Sequence, residues 1–268
     1  MLTMTRMTRR GRSSTGVLTA LTLALAGWLT AVAGPSTADD GEPATGRTTT
    51  GTAPTVIESR RIGHSVRDRP IRAYHLGEPG RTTAVVIGSM HGNEKAGLRI
   101  VAALRNGRPV TGVDLWVIRT VNPDGVARDT RQNARGVDLN RNFPHQWAPL
   151  TGSYYSGTGP LSEPESRALK RFLHQVRPTY VVSFHQPLHG VGRDNERRPF
   201  QRRLARGLGL RIKPFNCSGV CHGTMTSWYN ANHKGTAITV ELGPSPSRKY
   251  LRGKAVRGTL AAVLGSRA

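Results

Sequence analysis

The chain has 268 residues, 37% of them hydrophobic, which places it among soluble globular proteins with one large domain or two small ones. Lys and Arg number 39 against 16 Asp and Glu, a formal net charge of +23. Arginine is scattered over the whole chain and no aromatic-interleaved basic motif occurs, so the charge points to anionic polymers of a cell envelope in preference to nucleic acid.

The N-terminus has basic residues, an apolar stretch from Val17 to Ala33, and small residues Ala31-Val32-Ala33 before Gly34. That order predicts a secretory signal peptide over 1–33, with an uncleaved anchor as the alternative because the stretch is long for a signal. Arg9-Arg10 fit twin-arginine export poorly, and no cysteine follows the apolar run to carry a lipid. The expected location is secreted or envelope-associated, with no stable membrane insertion once the signal is removed. Residues 34–54, rich in Gly, Thr, Pro and Ala, read as a flexible linker. Residues 55–268 read as one domain without internal repeats.

Within that domain, Thr82 to Gly88, Val113 to Val121, Pro178 to His185 and Thr236 to Leu242 are β-branched, nearly continuous apolar runs, the pattern of strands covered on both faces. The first is followed by a helical pattern, "EKAGLRIVAALRNG", that puts Leu98, Val101 and Leu104 on one face and stops at Gly107. Asn122-Pro123-Asp124-Gly125 reads as a turn after the second run. A second helix is expected to start at Ser162, with Pro164 in its first turn and Glu165 completing a capping box, and to bury Leu169, Phe172, Leu173 and Val176. A final helix is expected from about Arg248 to Leu264. Strands alternating with helices predict a three-layer α/β/α sandwich around a mixed, largely parallel twisted sheet, with ligands beyond the carboxyl ends of the strands.

Four chemistry-bearing residues fall where the apolar runs stop: His91 and Glu94 after the first, His185 closing "VVSFH", and Glu241 closing "ITVE". Taken singly, each has an ordinary reading as a surface or hydrogen-bonded residue, or as a helix-dipole partner. Taken jointly, two imidazoles and a carboxylate make the ligand set of a hydrolytic zinc site, one Zn²⁺ per chain. Glu241 then remains as a carboxylate for general base work.

Thr120 to Pro144, "TVNPDGVARDTRQNARGVDLNRNFP", packs more arginines and amides into an irregular segment than a turn needs. Together with "HGNE", "SEPESRAL", "SFHQP" and "VELGP", in that order along most of the chain after the linker, it resembles the M14 family of zinc metallocarboxypeptidases. The resemblance implies that His91, Glu94 and His185 bind zinc and that Glu241 is the general base and acid. It further implies that Arg131 polarises the scissile carbonyl and that Asn140 and Arg141 bind the terminal carboxylate of a peptide substrate. Arginine suits both tasks, being permanently charged and shaped to grip a carboxylate with two N–H groups.

The digestive-type enzymes carry a mobile tyrosine that would fall here near Gly219 and Val220, where none occurs. Tyr229 is read as packed beside Trp228. The short chain looks like the small bacterial branch that includes murein peptide amidases, which cut next to diaminopimelate in cell-wall peptides, and "CHGTMTSWYN" is expected to line a polar pocket through Thr224, Thr226 and Ser227. Cys217 and Cys221, the only cysteines, read as a disulfide in an exported protein. The other histidines are read as structural, with His189 a possible substrate contact. A monomer is expected. The competing functions are an aspartoacylase or succinylglutamate desuccinylase type of N-acyl amino acid amidohydrolase and an inactive basic envelope-binding module.

Overall fold

A computed structural model describes residues 55–268 apart from 195, 197 and 216–218. The signal and linker expectations lie outside these residues, as does Cys217 and with it the Cys217–Cys221 pairing. The elements, in chain order, are β1 (Glu58–His64), β2 (Pro70–Gly77), β3 (Thr83–Ile87), α1 (Ala96–Asn106), β4 (Val110–Thr111), β5 (Asp114–Ile118) and α2 (Pro123–Arg128). After two 3₁₀ turns come α3 (Pro164–Val176), β6 (Tyr180–His185), β7 (Gly190–Gly192), α4 (Arg198–Leu208), β8 (Ile212–Lys213), α5 (Met225–Asn232), β9 (Thr236–Glu241), α6 (Arg248–Arg252), α7 (Lys254–Ala262) and β10 (Ser266–Arg267).

The main sheet has eight strands in the order β1-β2-β5-β3-β6-β9-β7-β8. The four expected runs form its parallel centre, β5-β3-β6-β9, while β2 joins β5 and β7 joins β9 antiparallel. Alternation along β3 shows why both faces must be covered. Ala84 and Val86 pack with Ile100 and Leu104 of α1, Leu204 of α4 and Leu260 of α7. Val85 and Ile87 pack with Leu169 and Phe172 of α3 and with Trp228 beyond the other face. The result is the expected three-layer sandwich, with α1, α4, α6 and α7 on one side and α3 and α5 on the other.

Three local expectations change. The helix α3 begins after Glu163, which makes no side-chain cap; Ser162 donates to the Glu163 carboxylate, and Glu165 reaches across the fold to accept from the backbone N–H of Val66 at 3.0 Å. There is no capping box, because a buried long-range hydrogen bond has claimed its carboxylate. The Asn122–Gly125 segment is the start of helix α2, with the Asn122 side chain accepting from Gly125 N–H at 2.8 Å. The final helix is split at Gly253, whose φ of −108° and ψ of −91° are not helical.

Candidate metal centre and active site

The loop after β3 carries His91 and Glu94, and its path depends on glycine. A Cβ at Gly92 would stand 1.9 Å from the Gly125 carbonyl carbon, so only glycine lets this loop lie against the first turn of α2. His185 ends β6, and parallel pairing with β9 sets it directly opposite Glu241. The sheet thus brings four residues from 150 positions of sequence to one edge.

His91, Glu94 and His185 are buried, and each offers a ligand atom within 4.8 Å of the others. The Nδ1 atoms of the two histidines are 3.3 Å apart, Nδ1 of His91 is 2.8 Å from Glu94 Oε1, and Nδ1 of His185 is 3.1 Å from Glu94 Oε2. Two nitrogens each bound at about 2.0–2.1 Å to a tetrahedral zinc stand roughly 3.3–3.4 Å apart, so this spacing fits the ion. The outward nitrogens are held as well: Nε2 of His91 by Asp138 Oδ1 at 2.9 Å, and Nε2 of His185 by Ser183 Oγ at 3.0 Å. With its Nε2 thus engaged, each ring turns Nδ1 inward, the arrangement that fixes a metal-binding histidine.

The charges agree with a cation at the centre. Burial disfavours the His91 imidazolium, but Asp138 and Glu94 outweigh it and hold the pKa up at about 9. Burial likewise opposes the Glu94 and Asp138 carboxylates, yet His91 keeps both well below the usual carboxylate range. The Glu241 carboxyl moves the other way: burial raises it, His185 opposes, and Glu94 reinforces the rise. Its Oε2 accepts from the Leu188 N–H at 3.2 Å.

Arg131 lies beside this cluster. It grips Asp138 Oδ2 through Nε at 3.0 Å and Nη2 at 2.8 Å, and Nη1 reaches Glu94 Oε1 at 3.3 Å. Asp138 also accepts the Asn140 N–H at 2.9 Å, starting the 3₁₀ turn Leu139–Arg141. The Asn140 side-chain oxygen accepts from Met225 N–H at the start of α5, which leaves its amide nitrogen to donate. Arg141 uses Nη1 on the Asn140 carbonyl, while its buried Nε has no hydrogen-bond partner among the described residues. Tyr154 places its ring 5.3 Å from the Arg131 guanidinium carbon and 5.2 Å from that of Arg141.

The seven residues expected to bind metal, catalyse or hold the substrate carboxylate, His91, Glu94, Arg131, Asn140, Arg141, His185 and Glu241, line one cavity of about 850 Å³, and Thr224, Thr226 and Ser227 line it too. Tyr229 is buried beside Trp228, its hydroxyl donating to the Pro178 carbonyl at 2.5 Å. His189 is absent from this cavity and lines a separate small one beside Gly243, whereas His145, read as structural, does reach the main cavity. Sequence reasoning missed Asp138, Ser183 and Tyr154. Ser183 had a signal, standing two residues before His185 on the same strand face. Asp138 stood inside the quoted "GVDLNRNF". Tyr154 lies in an irregular loop with no periodicity to place it.

A parallel-centred α/β sheet with a His-Glu-His cluster and a further glutamate at its strand ends defines the class of α/β metallohydrolase folds. The sequence profile of the zinc carboxypeptidase family matches residues 46–188. The chain belongs to that family, peptidase family M14, a family of peptide hydrolases. Murein peptide amidase A of Escherichia coli K12 is 33% identical over 141 residues, 47% of this chain and 58% of that protein, so the match spans little more than half of that relative. The protein of the same name from Vibrio campbellii is 31% identical over 209 residues, 70% of this chain and 81% of that protein. Among solved structures, the murein-tripeptide amidase of Escherichia coli O157 superposes with a TM-score of 0.65 at 27% identity, covering 76% of this chain and 91% of that one. Carboxypeptidase A of Helicoverpa armigera shares the fold, with a TM-score of 0.64 at 15% identity over 79% of this chain and 69% of that one.

Proposed function

We propose that this protein is an exported zinc-dependent carboxypeptidase or amidase that hydrolyses the amide bond before a residue bearing a free carboxylate, in peptides of the cell wall. The observation that carries the reading is the buried Nε of Arg141, without a hydrogen-bond partner among the described residues, in a residue that lines the site's cavity together with Asn140. A buried guanidinium with an unused donor is stabilised by an anion that enters and satisfies it. The polar wall of Thr224, Thr226, Ser227 and Thr239 suits a substrate side chain with hydrogen-bonding groups. The wall-peptide assignment is supported by the murein peptide amidases to which the chain is similar.

His91, Glu94 and His185 would hold the zinc, whose bound form supplies Lewis acidity and lowers the pKa of water toward about 7. Glu241 accepts the proton of the attacking water and passes it to the leaving amine. Arg131, anchored by Asp138, offers its guanidinium to the developing oxyanion. Arg141 and Asn140 fix the substrate carboxylate and so the bond presented to the water. The N-terminal signal and linker deliver this domain outside the membrane as a monomer.

A panel of three substrates tests the reading: a diaminopimelate-containing wall peptide, ordinary peptides with free C-termini, and N-acyl amino acids. The wall peptide is expected to give the highest kcat/KM. Preference for N-acyl amino acids would replace this reading with the acylase one.

A further inference from the structure

After Glu196 the chain has one carboxylate side chain, Glu241, and that one belongs to the active site. Helices α4, α6 and α7, "RPFQRRLARGL", "RKYLR" and "KAVRGTLAA", therefore contain no acidic residue at all. They lie together in one outer layer. Gly207 and Gly258 bring α4 and α7 into backbone contact, since a Cβ on Gly258 would meet the Gly207 carbonyl oxygen at 2.2 Å. The Tyr250 hydroxyl ties α6 to the end of α4 by donating to the Leu208 carbonyl at 3.0 Å. Arg202 and Arg206 of α4, Lys249 and Arg252 of α6, and Lys254 and Arg257 of α7 are all exposed.

None of these six has an ion-pair partner among the described residues. Ion pairs do form elsewhere on the surface, as in Arg60–Glu58 at 3.0 Å, Arg81–Glu78 at 3.0 Å and Lys95–Asp129 at 2.7 Å. Although other exposed arginines such as Arg61, Arg72 and Arg119 also stand outside such pairs, this layer is set apart by having no carboxylate on any of its three helices. A solvated helix face ordinarily gains from i,i+4 pairs of opposite sign, and a face of one sign loses them and repels itself. The glycine crossing adds to this by setting Arg206 and Arg257, each next to a contact glycine, on touching backbones.

We propose that the α4–α6–α7 face is a docking surface for a linear phosphate-bearing polymer with neither bases nor acyl chains, which holds the enzyme while its cavity stays open. The six cations supply the repeated positive charge, and guanidinium forks match phosphate oxygens. No large apolar side chain is exposed on these helices, which disfavours insertion into a lipid surface, and their aromatic residues Phe200 and Tyr250 pack inward, leaving none on which bases could stack. None of the three helices lines the active-site cavity, so the polymer and the substrate occupy separate surfaces. The surface stands independently of the proposed activity; its use, to keep a wall hydrolase beside the wall, rests on that reading.

The test is binding of the purified protein to immobilised long-chain polyphosphate across a salt series. Arg202→Glu/Arg206→Glu and Lys249→Glu/Arg252→Glu are each compared with Arg61→Glu/Arg72→Glu, which makes the same change in net charge on the exposed side chains of a β1–β2 cross-strand pair. Each helix pair is expected to weaken binding about tenfold or more and to flatten the salt dependence, while the control pair changes it little. Equal losses in all three overturn the proposal, leaving only net charge. Should a reversal fail to fold, Arg202→Gln/Arg206→Gln compared with Arg61→Gln/Arg72→Gln, each a change of two charges, gives the same comparison. In competition at equal phosphate, polyphosphate should displace duplex DNA and phosphatidylglycerol vesicles; preference for either reassigns the surface to nucleic acid or membrane. Binding needs no catalysis, so this proposal and the proposed activity can fail separately.

Discussion

Asp138 joins His91 to Arg131: its Oδ1 is 2.9 Å from the imidazole Nε2 and its Oδ2 accepts two N–H groups of the guanidinium. One fully buried carboxylate therefore sets the tautomer of the His91 imidazole and the position of the arginine beside it. Asp138→Asn is expected to lower zinc affinity about 10–100-fold, measured by competition with a chromogenic chelator. It should also reduce kcat at saturating zinc, because Arg131 loses its anchor. Unchanged affinity and unchanged kcat together would show that Asp138 serves packing alone.

Glu241→Gln is expected to retain close to one zinc per chain and to lose about 10²–10⁴-fold in kcat. His91→Ala and His185→Ala should instead lose the metal, so metal analysis separates ligand from base. The base must be deprotonated to act, so activity rises with pH through the Glu241 pKa. Burial, with Glu94 beside it and His185 opposing, raises that pKa. The acid limb of kcat/KM should thus lie above the ordinary glutamate value and vanish in the residual activity of the glutamine variant. A limb that persists there belongs to another group.

The Tyr154 ring stands over both Arg131 and Arg141 and is itself 40% exposed at the cavity. It is an aromatic residue that faces both arginines of the site, whereas the sequence around Gly219 and Val220 offers none. Tyr154→Leu is expected to raise KM about 3–10-fold by freeing the two guanidiniums, the loss of roughly 1 kcal/mol of cation–π contact. Tyr154→Phe keeps the ring and should keep KM. A drop in kcat in the phenylalanine variant would instead assign work to the hydroxyl.

The strands that carry the site were legible because each is covered on both faces and so reads as an unbroken apolar run ending in a polar residue. Hence His185 and Glu241, neighbours across β6 and β9, were visible from sequence although 56 positions apart. Strands β1 and β2, at one end of the sheet, were not legible, for exposed residues such as Ser59, Arg61 and Arg72 in "ESRRIGH" and "PIRAYHLG" break up the apolar pattern. Helix α4 was missed for the same reason, its exposed arginines masking Phe200, Leu204 and Leu208. The expected capping box at Ser162 illustrates a different limit: a local pattern loses to a tertiary hydrogen bond, here from Val66 N–H to Glu165, that no short-range rule contains.

His233 stacks on Tyr229 with ring centroids 4.4 Å apart and 3° between planes, and among the described residues neither ring nitrogen has a hydrogen-bond partner. Burial lowers its pKa, the Tyr229 backbone opposing, and His174, Arg177 and Lys170 add to the fall. The folded ring thus binds a proton more weakly than the unfolded one. Its contribution to stability is present above the unfolded value of about 6.5 and is lost as pH falls through 6.5 toward the depressed folded value. His233→Phe preserves the stacked ring and removes both the titration and the two unpaired nitrogens. The variant should be more stable at pH 8 by about 1–2 kcal/mol, and the gap should widen between pH 7 and pH 5. Urea denaturation across that range measures it, and curves that stay parallel would show that the ring titrates alike in both states.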